Sequence, residues 1–309
     1  MKKVSIIIPC HNESGNIPLL QDRLLSMMNS LAAYEWQVVM IDDGSSDGTF
    51  RAMMEARERD GRFAIVGLSR NFGKERAMLA GFDLVGGDCC VVMDADLQHP
   101  VEVIPKMLAL WEEGYDDVYA KRKSRGRESW LRRRLSLCYY AVLQKVADVD
   151  ILPNVGDFRL LDRKCIDSLR LLRESQRYTK GLYCWIGYNK KAVEFEQRDR
   201  SAGKSSFSYG KLFNLAIEGI TSYSTAPLRL STVFGLCVSI AAFLYMCYVF
   251  VKTLLCGEPV QGFPTLVIII LFLGGVQLLS LGIIGEYLGR VFYETKHRPV
   301  YIIKRKEGV

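Results

Sequence analysis

Residues 89–100 read Cys-Cys-Val-Val-Met-Asp-Ala-Asp-Leu-Gln-His-Pro. The first five form a short apolar run, which is typical of a strand buried on both faces. Acidic and polar side chains follow without a break, beginning with Asp94 and Asp96. The stretch therefore predicts a core strand with a pair of carboxylates at its carboxyl end.

Three stretches upstream repeat this pattern of an apolar run followed by a polar loop. Amphipathic helical patterns separate the runs, and such alternation predicts an α/β fold in which helices cover both faces of a parallel sheet. Ligands of these sheets bind beyond the carboxyl ends of the strands, so the four polar loops are the expected site. The runs are at 4–8, 37–41, 63–68 and 89–93, the helical patterns at 17–31, 49–59 and 74–84, and the loops at 9–13, 42–48, 69–74 and 94–100.

The pair of Asp94 and Asp96 suits a divalent metal. Carboxylates two positions apart in a loop can turn toward one hard cation, and Gln98 adds a neutral oxygen. Such a cation would neutralise a diphosphate leaving group. A solvated turn is the alternative for a D-x-D pair considered alone. In the second loop, Asp42 is placed to accept the imide N–H of uracil.

Two later segments are further candidates for chemistry. Asp157 follows a polar turn, and it serves there either as a turn or cap residue or in catalysis. The stretch 200–206 combines Arg200 and Lys204 with hydroxyl groups, Ser205 among them, around a glycine. This composition suits phosphate oxygens, and an exposed linker is the alternative.

Several classes of site are not expected. The chain has neither G-x-G-x-x-G nor G-x-x-x-x-G-K-[ST], so nothing supports a nicotinamide site or ATP hydrolysis. Its nine cysteines include no C-x-x-C pair, which favours structural thiols in a reduced compartment. His11 and His99 have no partner at ligand spacing, so we interpret both as loop histidines. The N-terminus runs into Pro9 without the apolar region of a signal peptide.

Positive charge is concentrated in one segment. The net charge is only +7, but residues 121–134 contain eight Lys or Arg against one acid. A local patch of this kind suits phosphates or an anionic membrane surface, and we expect no nucleic-acid partner. The patch follows a predicted strand at 115–120 and precedes an amphipathic stretch at 135–147. That stretch is either an interfacial helix or an ordinary core helix.

Two long apolar segments predict membrane-spanning helices. Residues 230–251 and 259–285 carry no charge, and each exceeds the roughly 20 residues that a helix needs to cross the hydrocarbon core. A buried helical hairpin is the alternative. Basic residues flank the pair on its outer sides, whereas the connecting loop has only Lys252 and Glu258. The positive-inside tendency therefore predicts a multi-pass protein of the inner (plasma) membrane with both termini and the N-terminal domain in the cytoplasm.

The motifs together resemble the family-2 glycosyltransferases that act on polyprenyl phosphates. The resemblance is closest to the bactoprenol glucosyltransferases of bacterial surface-glycan modification and more distant to dolichol-phosphate mannose synthase. It continues through the two apolar segments and covers essentially the whole chain. One departure is that Ser206-Phe207 stands where many relatives have Lys-Tyr or Lys-Phe. The motifs lie at 9–13, 42–45, 70–74, 94–98, 156–159, 200–205, 285–290 and 296–299.

The resemblance implies a GT-A (Rossmann-like) fold, inversion at the anomeric carbon, and a role for each matching residue. Asp157 is the family's candidate base, although a phosphate acceptor is already largely ionised at neutral pH, so that Asp157 would orient the acceptor more than deprotonate it. The nucleotide would contact Pro9, Asn12, Glu13, Asp42 and Asp94; Mg²⁺ or Mn²⁺ would contact Asp94, Asp96 and Gln98; the lipid phosphate and diphosphate would contact Arg122, Arg132, Ser136, Arg200, Lys204 and Ser205.

These inferences predict four regions. Residues 1–208 are a cytoplasmic GT-A catalytic domain whose segment 121–148 is basic and amphipathic and lies near the membrane. An interfacial helix at 209–228, two transmembrane helices within 229–288 and a cytoplasmic tail at 289–309 follow.

The predicted activity is transfer of a hexose from a nucleotide-sugar to undecaprenyl phosphate at the cytoplasmic membrane face. The resemblance favours UDP-glucose, and N-acetylhexosamine, mannose or an aminoarabinose derivative stay open, as does a homo-oligomer. A processive polysaccharide synthase is disfavoured because Q-x-x-R-W is absent and two spans are too few for a conduit. A non-catalytic membrane scaffold or flippase partner is disfavoured because Asp94, Asp96 and Asp157 are all present.

Overall fold

The computed structural model describes residues 1–122, 155–175, 177–196, 226–256 and 262–309. The chain forms two compact units, one built on a sheet and one built on two long helices. Residues 298–309 belong to the sheet unit. Of the predicted regions, 123–148 and most of 209–228 lie outside the described residues.

An eight-stranded sheet is the framework of the first unit, with the strand order β7-β5-β6-β4-β1-β2-β3-β8. The strands are β1 Lys2–Cys10, β2 Tyr34–Asp42, β3 Phe63–Leu68, β4 Cys89–Val92, β5 Asp117–Arg122, β6 Val155–Asp162, β7 Lys190–Phe195 and β8 Ile303–Glu307. The helices of this unit are α1 Ile17–Ser30, α2 Thr49–Arg59, α3 Lys74–Leu84, α4 Ile104–Glu112, α5 Arg163–Leu171 and α6 Thr179–Trp185, with a short 3₁₀ helix at Val101–Val103.

The prediction of a parallel sheet is correct for the centre and wrong for the sheet as a whole. β4, β1, β2 and β3 are parallel neighbours, and β5 is parallel to β7. However, β6 is antiparallel to both β4 and β5, and β8 is antiparallel to β3. A strand returns parallel to its neighbour when a crossover helix joins the two. β6 and β8 run antiparallel to their neighbours, so the fold is α/β with a mixed sheet.

The central strands are buried on both faces, as their uninterrupted apolar sequences predict. β3 and β4 are buried at every position. The helix α3 packs closely on the sheet at Gly81, because a Cβ atom there would lie 2.4 Å from Ile7 Cγ2 and 3.1 Å from Ile41 Cδ1. A larger residue would push α3 away from β1 and β2, and α3 begins at the candidate site.

The C-terminal segment forms an edge strand that the sequence analysis treated as a tail. β8 covers the open edge of β3, and Ser69 donates its backbone N–H to Ile302 O at 2.9 Å. Tyr301 anchors the approach by donating its hydroxyl hydrogen to Asp83 Oδ2 at 2.5 Å. Four of the five β8 residues are exposed and all four are charged, which suits an edge that must not pair with another chain.

The second unit contains α7 Ala226–Cys256 and α8 Phe263–Thr295. The two helices contact each other, and Ser231 Oγ donates to Ser280 Oγ at 2.9 Å. Among the described residues, Phe272–Thr295 is the one helical stretch long and apolar enough to cross a membrane. The apolar stretch Ser231–Tyr245 of α7 is shorter. One of the two predicted spans therefore has a matching helix by length and composition, and the second stays a prediction.

Candidate active site

The D-x-D pair lies in a tight turn directly after β4. Leu97 adopts φ +61°, and the backbone N–H of Gln98 donates to Asp96 Oδ1 at 3.1 Å. The backbone N–H of Asp94 donates to His99 Nδ1 at 3.1 Å. These bonds close the loop on itself and fix both carboxylates next to the end of β4.

His99 connects this loop to β6, a role that the sequence analysis did not predict. Its side chain is buried, and its ring stacks on Phe158 with centroids 4.7 Å apart and planes inclined by 14°. Burial lowers the pKa of His99 despite the neighbouring carboxylates Asp94 and Asp96. The neutral ring accepts the Asp94 N–H at Nδ1. The prediction of a loop histidine misses this contact because Phe158 is distant in the sequence.

β6 places Asp157 in the site. Side chains alternate along a strand, so Asp157 and Arg159 share one face while Phe158 lies on the other, against His99. Arg159 is buried, donates two hydrogen bonds to Asp117 at 2.9 and 3.2 Å, and stacks 3.6 Å from the Tyr183 ring centroid. Removing one partner of such a buried ion pair typically costs about 3–5 kcal/mol. The pair therefore fixes the strand that carries Asp157.

Lys74 joins the two acidic parts of the site. Its Nζ donates to Asp157 Oδ2 at 2.7 Å and forms an ion pair with Asp94 Oδ1 at 2.5 Å. Partial desolvation by the surrounding protein opposes the charge of Lys74, yet Asp157 and Asp94 raise its pKa above the ordinary value. Burial alone would raise the pKa of Asp157, but Lys74 and then Lys180 outweigh it and hold that pKa at about 2. Lys74 and Asp157 are therefore both charged at neutral pH.

A cavity of about 320 Å³ opens at the carboxyl ends of β1, β2 and β4. All four predicted loops contribute to its wall, as expected for this kind of sheet. A larger, open cavity of about 680 Å³ lies at the other ends of β1 and β2, away from the D-x-D loop. The wall of the smaller cavity consists of Pro9, Cys10, His11, Glu13, Asp43, Asn71, Gly73, Lys74, Asp94, Ala95 and Asp96.

The predicted nucleoside residues divide into two groups. Pro9 and Glu13 line the cavity. Asn12, at φ +56°, accepts the Ser46 N–H at 2.9 Å, and the buried Asp42 accepts the Ser45 N–H at 3.2 Å, so both brace the loop after β2. Their assignment to the nucleoside stays a prediction.

Asp43, which the sequence analysis did not single out, lines the cavity and organises the third loop. It accepts the backbone N–H groups of Phe72 and Gly73 at 2.7 and 2.9 Å. Gly44 lies beside that loop at φ +63°, and a Cβ atom there would lie 2.4 Å from the carbonyl carbon of Arg70. A side chain at residue 44 would therefore separate the second and third loops.

One of the residues predicted to bind lipid phosphate is described. Arg122 ends β5, is half-buried, and its positive charge contributes to lowering the pKa of His99. It therefore lies within electrostatic reach of the D-x-D loop. The other predicted residues, Arg132, Ser136, Arg200, Lys204 and Ser205, lie outside the described residues.

The acids of the cavity fit a divalent metal that shares its coordination with a substrate. Asp94 and Asp96 both line the cavity and offer hard carboxylate oxygens. Within the described ranges no group of three or more His, Cys, Asp or Glu side chains forms a complete cage. Mg²⁺ is ordinarily held by one or two carboxylates together with substrate phosphates, so two acids suffice. Gln98 contributes its backbone N–H to the turn, and its predicted metal contact stays a prediction.

Comparison with known proteins places the chain in a family. The family description "Glycosyl transferase family 2" matches residues 5–170, and "GtrB C-terminal hairpin" matches residues 226–291. The chain is 42% identical over 307 residues to the uncharacterized glycosyltransferase sll0501 of Synechocystis sp., with 99% of this chain and 96% of that protein covered. It is 42% identical over 305 residues to the bactoprenol glucosyl transferase of Shigella phage SfV, with 99% of each covered.

Among solved structures, the chain is similar to glucosyl-3-phosphoglycerate synthase from Mycobacterium tuberculosis in complex with Mn²⁺, UDP-glucose and phosphoglyceric acid. The TM-score is 0.46 at 17% identity, with 71% of this chain and 77% of that chain covered. The implied GT-A-like α/β fold is confirmed, with a mixed sheet. Because the family pattern spans more than half of the chain and full-length relatives align with nearly all of it, the chain belongs to glycosyl transferase family 2.

Proposed function

We propose that this chain transfers a hexose from a nucleotide-diphospho-sugar to undecaprenyl phosphate at a membrane. The proposal rests on one cluster of charged side chains. The Lys74 ammonium group lies within ion-pair distance of both Asp94, an acid of the D-x-D turn, and Asp157. Lys74 and Asp94 line the cavity, and Asp157, which we assign to the acceptor side, lies directly behind Lys74. The relationship to a bactoprenol glucosyl transferase along the whole chain supports the lipid acceptor.

On the donor side, the cavity wall would hold the nucleotide and the D-x-D turn would hold its diphosphate. Asp94 and Asp96 would bind Mg²⁺ or Mn²⁺, with Gln98 as the predicted third residue. A divalent cation there neutralises the departing diphosphate. His99 and Leu97 keep the turn closed, so that both carboxylates are positioned before the donor arrives.

On the acceptor side, Asp157 would orient the lipid phosphate rather than deprotonate it. A carboxylate with a pKa of about 2 is a weak proton acceptor at neutral pH. A phosphate monoester has a second pKa near 6 and is largely ionised at neutral pH without help. The phosphate oxygen can therefore attack the anomeric carbon directly, opposite the leaving diphosphate, which inverts the configuration. Arg122 supplies a described cation on this side, and Arg132, Ser136, Arg200, Lys204 and Ser205 are the further predicted contacts.

The membrane assignment follows from the helical unit and from the acceptor. A polyprenyl phosphate has its reactive end at the headgroup level, so the catalytic unit must work close to that plane. We infer that both α7 and α8 cross the inner membrane and that the sheet unit faces the cytoplasm, as the flanking positive charges predict. Self-association into a homo-oligomer is compatible with this arrangement and is not required by it.

Glucose from UDP-glucose is the favoured donor because bactoprenol glucosyl transferases are among the full-length relatives. N-acetylhexosamine, mannose and an aminoarabinose derivative would use the same chemistry. The choice depends on contacts to the sugar hydroxyls, which the polar wall of the cavity would provide.

A transfer assay tests the proposal and identifies the sugar. The purified full-length protein in detergent is incubated with undecaprenyl phosphate, MgCl₂ or MnCl₂, and one member of a panel of radiolabelled UDP- and GDP-sugars. We expect a labelled product that partitions into organic solvent, with UDP-glucose giving the highest rate. Asp96→Asn is the matched control and should give no product. Absence of product with every donor, from folded wild-type protein, would favour the non-catalytic scaffold.

A further inference from the structure

Lys74 occupies a position that helix stability does not explain. It is the first residue of α3, and a cation at the amino end of a helix is unfavourable because the helix dipole is positive there. The next residue, Glu75, is the kind of side chain that this position favours. The ammonium group is retained by the two carboxylates that face it, Asp94 and Asp157. The position of Lys74 is therefore explained by its contacts in the candidate site and not by helix stability.

The backbone of Lys74 is fixed while its side chain has room to move. Asp43 holds the preceding residues Phe72 and Gly73 through two backbone hydrogen bonds. The Lys74 side chain itself is 42% exposed and lines the cavity. Its two partners differ in depth, because the Asp157 side chain is 8% exposed and that of Asp94 is 29% exposed. Asp94 is thus the partner that a solute in the cavity reaches more easily.

A divalent cation and the Lys74 ammonium group would compete for Asp94. The ammonium nitrogen lies 2.5 Å from Asp94 Oδ1, an oxygen for which a divalent cation held by this carboxylate would compete. Two positive groups cannot share that oxygen without strong repulsion. Asp157 offers Lys74 an alternative, since its Oδ2 already accepts a hydrogen bond from the same nitrogen at 2.7 Å.

Resting on the function proposed above, we propose that Lys74 is a metal-displaced positioning residue that links donor binding to acceptor binding. In the empty site its ammonium group bridges Asp94 and Asp157. When the metal and the donor diphosphate occupy Asp94, Lys74 is released from that carboxylate and stays on Asp157. An ammonium group has three N–H donors, so the ones freed from Asp94 can bind the acceptor phosphate.

This arrangement solves an electrostatic problem on the acceptor side. Asp157 stays ionised, and a bare carboxylate would repel a phosphate dianion. With Lys74 attached, the Asp157–Lys74 pair presents positive N–H groups to the phosphate. The acceptor therefore binds best after the metal and donor, and the order of binding follows from the competition for Asp94.

The test measures metal binding separately from transfer. Free Mn²⁺ is titrated by electron paramagnetic resonance against the full-length protein in detergent, for wild type, Lys74→Met, Lys74→Arg and Asp96→Asn. We expect Lys74→Met to bind Mn²⁺ at least about fivefold more tightly, which corresponds to the attraction of a close charge pair in bulk water. Lys74→Arg keeps the competing cation and should stay within about twofold of wild type. Transfer by Lys74→Met should be slower and its KM for undecaprenyl phosphate higher.

The outcomes separate this inference from the proposed function. If Lys74→Met binds Mn²⁺ no more tightly than wild type while Asp96→Asn binds it more weakly, the displacement is overturned and the metal site stands. If wild type and Asp96→Asn both fail to bind Mn²⁺, the metal component of the proposed function fails and the displacement fails with it. Thermal unfolding of each variant shows whether it is folded. If Lys74→Met is not folded, Lys74→Arg tests the displacement, because tighter Mn²⁺ binding by Lys74→Arg also overturns it.

Discussion

At the residue scale, the three carboxylates of the site have different neighbours, so we expect them to have different roles in the site. Asp96 accepts the Gln98 N–H, Asp94 faces an ammonium group, and Asp157 is buried against that same group. The negative charge that Asp96 adds to the cavity wall is one that a divalent metal would use.

Asp96→Asn tests this division. The amide keeps the size of the side chain and an acceptor oxygen for the Gln98 N–H, so the turn should persist while the charge is lost. We expect transfer to fall by at least about 100-fold, the scale of removing one strong electrostatic contact in a transition state. Initial rates over a range of Mn²⁺ concentrations measure it. Near-normal turnover in EDTA would contradict a metal role.

Asp157→Asn should separate the acceptor side from the donor side. The variant loses the charge that holds Lys74 but leaves the Asp94–Asp96 turn and the nucleotide wall in place. We expect a large fall in the transfer rate with UDP affinity unchanged within about twofold. Calorimetric UDP titration and rates at saturating donor measure the two effects. A loss of UDP affinity without a matching loss of rate would move Asp157 to the donor half of the site.

The pH dependence distinguishes a base from an orienting carboxylate. The pKa of Asp157 is lowered from 3.8 to about 2, so its ionisation contributes stability above pH 4 that is lost between about pH 4 and 2. Asp157 therefore does not titrate near neutrality. We expect the rate to fall below an apparent pKa near 6, set by the acceptor phosphate. The same acidic limb should remain in the residual activity of Asp157→Asn, and its disappearance would identify Asp157 as the base.

Only the parts of the candidate site that consist of residues close together in the sequence could be predicted. Asp94 and Asp96 are two positions apart at the end of an apolar run, so the sequence itself places them together. The contacts of Lys74 with Asp157 and of His99 with Phe158 join residues far apart in the chain, and nothing in the local pattern indicates them. The loop containing Lys74 was predicted to be at the site, but the partner of the lysine was not.

At the element scale, the predicted bounds of strands and helices are correct where the local sequence pattern agrees with the packing in the folded unit. The strand at 63–68 and the helices at 49–59 and 74–84 have the predicted bounds, because each has an uninterrupted apolar run or a clear helical face. β6, β7 and β8 were not predicted as strands. Their sequences alternate or are charged, and their pairing depends on neighbours that lie far away in the chain. The antiparallel part of the sheet follows from two of these strands, β6 and β8.

Truncation tests the importance of β8. Ending the chain after Pro299 removes β8 together with the Tyr301–Asp83 hydrogen bond and leaves β3 as an open, apolar edge. We expect thermal unfolding of the sheet unit to begin at least roughly 5 °C lower and the protein to aggregate more readily. Lys306→Ala is the control, because its side chain is exposed and its backbone pairing is kept. An unchanged unfolding temperature in the truncated protein would show that β8 is dispensable.

At the scale of the whole molecule, the chain leaves the sheet unit for α7 and α8 and returns to it as β8. Both ends of the helical unit are therefore connected to the catalytic unit. The basic segment 121–134 begins with the last two residues of β5, Lys121 and Arg122. Under the proposed function it would have two distinct tasks: binding the acceptor phosphate and attracting anionic lipid.

These two tasks should be separable by the medium. Arg125, Arg127 and Arg132 all lie outside the described residues. The family resemblance assigns Arg132 to the acceptor phosphate, and we expect Arg125 and Arg127 to attract anionic lipid at about 1 kcal/mol each. Arg132→Ala should raise the KM for undecaprenyl phosphate or lower the rate even in neutral detergent. Arg125→Ala with Arg127→Ala should weaken activity in anionic bilayers and recover in detergent or high salt, because salt screens surface attraction.

The kinetics of both variants in both media distinguish a specific contact with the acceptor phosphate from a general electrostatic attraction to the membrane surface. A phosphate held by a guanidinium group at short range keeps that contact when the surrounding lipid is neutral, since the bond depends on geometry rather than on surface potential. An attraction to the membrane surface disappears with the surface charge. If the effect of Arg132→Ala disappears in detergent, as expected for Arg125→Ala with Arg127→Ala, the whole segment 121–134 serves only to attract the protein to anionic lipid. The acceptor phosphate would then depend on Lys74, which contacts Asp94 of the D-x-D turn, and on Arg122 at the end of β5.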